Sequence, residues 1–125
     1  MKLAYLPSGS PDCPLIRFFA FHNEGLARLK TLLLSLSDYS KSSVALSEQV
    51  DFQQVNANRL YFRVGESDER IRSVAPGVFE YVLSGAAWDN MAELVESLRK
   101  PDATGYQWLR QAAGIPLLLS PEGSW

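Results

Sequence analysis

The sequence holds one cysteine and one histidine among 125 residues, and each scarcity closes off chemistry. With Cys13 alone, no disulfide can form within the chain and no cysteine-rich zinc site can be built. With His22 alone, metal motifs that need two histidines are excluded. Long apolar runs are missing too, since no stretch approaches the ~18 residues of a membrane-spanning helix. The opening Met1-Lys2-Leu3-Ala4-Tyr5-Leu6-Pro7 is too short in apolar residues for a secretion signal. There is no basic surplus: 12 Lys and Arg face 14 Asp and Glu, for a net charge of −2. Displacing counterions from phosphate needs the opposite balance, so nucleic acid is disfavoured as a partner. Neither common glycine-rich phosphate loop occurs, nor a Gly-x-Ser-x-Gly turn. A lone thiol fits a reducing compartment. The expectation is a cytoplasmic protein with no membrane span, no metal and no cofactor.

Cys13 and His22 are the residue types of a nucleophile and its base, but they stand at opposite ends of one predicted strand. At ~3.3 Å per residue they would lie roughly 30 Å apart, which argues against such a pair.

What the chain does contain is ordinary for a globular domain: 46% hydrophobic and 21% charged residues. Its length suits a single domain over 1–125, able to bury a core without a disulfide or metal. Residues 1–13 read as an extended arm or a short edge strand. Leu15 to Phe21 is apolar on both alternating faces except at Arg17, the pattern of a strand with a covered interior position. Asn23 is a reasonable cap for a helix over Glu24 to Leu36, where Leu26, Leu29, Leu33 and Leu36 share one face. Val44 to Glu48 reads as a short strand. Val50 to Val55, Asn56-Ala57-Asn58 and Arg59 to Val64 read as a hairpin.

Gly65 to Arg72 is charged and reads as an exposed loop, with Glu66, Asp68 and Glu69 as a solvated acidic cluster. After the turn at Pro76-Gly77 comes a strand, Val78 to Leu83. Ser84 then caps a second helix over Gly85 to Arg99, which Pro101 ends. Its stripe is Trp88, Met91, Val95 and Leu98. Tyr106 to Arg110 and Ile115 to Ser120 form a closing hairpin, with Gly114 available for its turn.

The two helical stripes are offset by 62 residues, and an ungapped slide by that amount pairs Leu15–Phe21 with Gly77–Leu83. Identities fall at Pro14/Pro76, Leu32/Leu94, Ser35/Ser97 and Leu36/Leu98. An internal repeat of 13–62 and 75–125 is compatible with this, although helical periodicity alone imposes the same spacing. The expected architecture is α+β: an antiparallel or mixed sheet with two helices packed on one face. The extra strands between residues 44 and 64 set it apart from a plain ferredoxin-like arrangement.

The clearest candidate surface is the outward row Arg59, Tyr61 and Arg63, opposite the apolar row Leu60, Phe62 and Val64. Arginine and tyrosine are favoured at interfaces because they add area and directed hydrogen bonds at modest entropic cost. An ordinary solvent face of a sheet uses the same residues. Arg17 extends the row if its strand pairs in register. Trp88 reads as core, Trp108 as packed alongside Tyr106, and Trp125 either folds back on the body or meets a partner.

Cys13-Pro14-Leu15-Ile16-Arg17, Gly105-Tyr106-Gln107-Trp108-Leu109 and Leu117-Leu118-Leu119-Ser120-Pro121-Glu122-Gly123-Ser124-Trp125 resemble a family of small uncharacterised bacterial proteins. The resemblance covers most of the chain from Cys13 onward. It implies a complete small protein with no catalytic residues, and a structural or contact role for Trp125. The leading expectation is a non-enzymatic module that binds another protein, of immunity, adaptor or accessory type, or that forms a homodimer. The alternative is a small-molecule or anion-binding enzyme using Arg17, Arg59, Tyr61 and Arg63.

Overall fold

Apolar residues at every second position force β-structure to bury one face, and here two such patterns are satisfied in two different sheets. The computed structural model describes residues 1–8, 14–49, 52–55, 59–68, 72–100, 105–110 and 115–121, with the side chains of 72–74 outside that description. The elements run β1 (Lys2–Leu6), β2 (Leu15–Phe19), α1 (Asn23–Ser37), β3 (Ser43–Ala45), a 3₁₀ turn (Leu46–Glu48), β4 (Gln53–Gln54) and β5 (Arg59–Val64). They continue with β6 (Arg72–Ala75), β7 (Val78–Leu83), α2 (Gly85–Ser97), β8 (Gln107–Arg110) and β9 (Leu117–Leu119). The protein is α+β with mixed sheets. The first sheet has the order β4-β1-β2-β9-β8 and the second β3-β5-β7-β6.

Leaving out β4, the two sheets share one pattern. From β1 to β8 the pairings are antiparallel, parallel, antiparallel, and from β6 to β3 they are the same. Each half of the chain starts with a strand pair, passes through a helix and delivers its last two strands to the other half's sheet. The helices match at an offset of 62: Ser35 and Ser97 each donate a hydroxyl to the carbonyl three residues back, at 2.6 Å. The strands do not. The ungapped slide sets Ile16 against Val78 and Phe18 against Glu80, although Ile16 and Phe18 are core residues and Glu80 is not. Shifting the strand by one residue aligns Ile16 with Phe79 and Phe18 with Tyr81, all four in the core, because a one-residue slip exchanges the faces of a strand.

The expected hairpin of Val50–Val55 with Arg59–Val64 is not formed. Of that segment's described residues, Gln53–Gln54 are strand and run parallel to β1 in the first sheet, whereas β5 lies between β3 and β7 in the second. The register explains the choice. Leu60, Phe62 and Val64 sit beside Phe79, Tyr81 and Leu83, so six apolar side chains share one face. Residues 1–6, for which arm or edge strand stood open, form β1 between β4 and β2, with Leu3 fully buried. Of the expected strand Val44 to Glu48, the second part is the 3₁₀ turn.

His22, not Asn23, caps α1, through its backbone and without a side-chain bond. Asn23 instead accepts from Arg99 Nε at 3.2 Å. Ser84 caps α2 as expected, its hydroxyl accepting from the Ala87 N–H at 3.2 Å, and the helix ends at Ser97, two residues before the expected Arg99. The helices are antiparallel neighbours. Lys30 meets Glu96 at 3.1 Å, and a Cβ on Gly85 would lie 2.8 Å from the Ser37 carbonyl oxygen. No helix among the described residues is long and apolar enough to cross a membrane.

Both helices and both sheets share one core. Leu26, Leu29, Leu33 and Leu36 of α1 and Trp88, Met91 and Val95 of α2 join the inner faces of the sheets. Phe62 packs edge-on to Tyr81 at 5.6 Å and tilted against Trp88 at 4.7 Å. The Trp88 indole N–H donates to the Arg63 carbonyl at 2.9 Å, which satisfies the polar end of a fully buried ring.

Candidate functional site

β5 is an interior strand, hydrogen-bonded to β3 on one side and β7 on the other. Its strict alternation therefore splits cleanly. Leu60 and Phe62 are buried, Tyr61 is half-buried, and Arg59 and Arg63 are exposed on the outer face. In register with this row stand Val78, Glu80 and Val82 of β7, and Ala45 and Ser43 of β3. Arg63 Nε lies 3.2 Å from the Glu80 carboxylate. With half of the Arg63 side chain exposed, this pair orients the guanidinium more than it stabilises the fold. Arg59 makes no side-chain ion pair, and the Tyr61 hydroxyl no hydrogen bond, among the described residues.

Arg17 does not extend this row. β2 belongs to the first sheet, where its neighbours are β1 and β9, so Arg17 stands on a different outer face. There it lies between Ala4 and Leu118, both buried, and its guanidinium stacks 4.4 Å from the Phe19 ring centre. The outer faces of the two sheets thus differ in character. That of the first includes fully buried Leu15 and Leu118, whereas that of the second displays Arg59 and Arg63. Trp125, Cys13, Glu69, Gly114 and the Asn56-Ala57-Asn58 turn lie outside the described residues. Trp88 is core, as read, while Trp108 is half-buried with Tyr106 edge-on at 6.5 Å and 48% exposed.

Asp68, expected to be a solvated loop acid, has a defined position. Its carboxylate accepts from the Ser84 N–H at 2.9 Å and pairs with Arg110 at 3.2 Å. The Ser84 N–H, with Arg110 behind it, holds this carboxyl below the usual range for aspartate. A contact across sixteen residues leaves no local spacing in the sequence from which to find it.

The described residues also line shallow surface grooves. One of about 350 Å³ lies between the helices, edged by Lys30, Leu34, Asp89 and Glu93. Two of about 370 and 400 Å³ adjoin the start of α1, both lined by His22. Among the described residues, no group of three or more His, Cys, Asp or Glu is placed to hold a metal ion. Comparison with protein-family models, with curated proteins and with solved structures finds no match.

Proposed function

We propose that this chain is a non-enzymatic protein-binding module that engages its partner through the outer face of the second sheet. The observation that carries the reading is the row Arg59, Tyr61 and Arg63 on an interior strand, with both arginines exposed. Tyrosine and arginine are the side chains from which binding hot spots are most often built. An interior strand holds them at fixed spacing, which lowers the entropic cost of association. An anion-binding enzyme site built from Arg17 together with this row has less support, because Arg17 belongs to the other sheet. A partner of immunity, adaptor or accessory type, or a second copy of the chain, fits the same face. The lone Cys13 supports a cytoplasmic setting.

The test is a double charge reversal, Arg59→Glu with Arg63→Glu, in affinity capture from the native cell. The wild-type chain is expected to retain one stoichiometric partner, or to self-associate, and the double variant to lose it. Because both side chains are exposed, the melting temperature should stay within about 2 °C. Retention of the same partner by both forms would remove this face from the molecule's function.

A further inference from the structure

Resting on that reading of the face, we infer that the partner presents an acidic polypeptide segment, with two carboxylates spaced to meet Arg59 and Arg63 and an apolar side chain between them. The two arginines are four residues apart on one strand, which sets their Cα atoms about 13 Å from each other at ~3.3 Å per residue. Hydrogen bonding of β5 on both sides fixes that distance. An extended segment with acidic residues at positions i and i+4 has the same repeat and matches it.

The charges on the face call for an anion. Arg59 is exposed and makes no side-chain ion pair among the described residues. Arg63 meets Glu80 through Nε with half of its side chain exposed, so a guanidinium already oriented on the face can meet a second carboxylate. The chain as a whole is net negative, at −2, whereas the described side chains of this face set Arg59 and Arg63 against the one carboxylate of Glu80, so its sign is reversed and an acidic partner is drawn there rather than elsewhere. Between the arginines stand Tyr61 and, beside it on β7, Glu80, whose carboxylate is taken up by Arg63, while Val78 flanks Arg59. A polypeptide can cover the Tyr61 ring with a side chain, whereas a phosphate backbone would leave it bare and set a further anion beside Glu80.

The experiment replaces Tyr61 with p-benzoylphenylalanine, cross-links in the native cell and identifies the attached segment by mass spectrometry. The expected product is a polypeptide with acidic residues on both sides of the attachment point. Against the purified partner, Arg59→Glu should weaken binding about tenfold or more, and exchanging the partner's carboxylate for arginine should restore it. Attachment to a neutral or basic segment, or affinity unchanged by Arg59→Glu, overturns the acidic partner while leaving the face as a protein-binding surface. Attachment to nucleic acid, or to no macromolecule, overturns the reading of the face itself.

Discussion

The hydroxyl of Tyr81 donates to the backbone carbonyl of Ile115 at 2.9 Å, tying β7 in the second sheet to the segment that leads into β9 in the first. Tyr81 is fully buried, so this bond has no water to replace it. Tyr81→Phe should cost about 1–2 kcal/mol in urea unfolding. Burial also pushes the phenol well above its ordinary range. A raised value in the folded state means a contribution complete below about pH 10, the unfolded tyrosine's value, and lost as pH rises through the folded one. Stability of the wild-type chain should therefore fall on the alkaline side, and less steeply in Tyr81→Phe.

Asp68 gives the opposite sign. Its carboxyl is held below the usual range, first by the Ser84 N–H, so its contribution is present above about pH 4 and lost as pH falls through the lower folded value. The side chain is 41% exposed, and solvent screening limits the effect of Asp68→Asn to ~0.5–1 kcal/mol near neutrality. Chemical denaturation at neutral and acid pH should show the wild-type advantage vanish in acid.

Leu29 and Leu98 occupy matching stripes in the sequence but unequal places in the fold. Leu29 is fully buried, whereas Leu98 is only partly buried, just past the end of α2. Leu29→Ala should cost roughly 2–5 kcal/mol, and Leu98→Ala about 1–2. Equal losses in thermal or urea unfolding would contradict this packing.

At Gly85 the two helices come too close for a side chain. A methyl group there would sit 2.8 Å from the Ser37 carbonyl oxygen, with the Tyr39 ring at 3.2 Å. Gly85→Ala should destabilise by about 1–3 kcal/mol even though alanine is the better helix former. A neutral or stabilising result, read by calorimetry, would mean that the helix ends can move apart.

Both helices were legible in the sequence because a stripe of four large apolar residues has no other use, and Ser84 marks the start of α2 through a bond it makes three residues away. The alternation of β5 gave its two faces for the same local reason. Partner choice between strands was not legible. Gln53–Gln54 and Arg59–Val64 are neighbours in sequence and lie in different sheets, a result set by the match of Leu60, Phe62 and Val64 to a strand some twenty residues on. The separation of Arg17 from Arg59, and the reach of Asp68 to Ser84, follow from the same long-range pairing. The slide by 62 residues sets Phe18 of the core against Glu80 of an outer face, because a strand's faces exchange at every residue and a spacing read from the helices does not fix them.

Because each half ends in the other's sheet, the halves are interlocked and neither is self-sufficient. Ile16 must wait for Leu117 before the first sheet closes, as Phe79 must have Leu60 for the second. Loss of either half strips at least two strands from each sheet, so the molecule should melt in one step with no half-folded intermediate. Its assembly is governed by contacts between distant stretches of chain and should be slow for its size. A chain cut between β5 and β6 would yield pieces that regain structure only by finding each other.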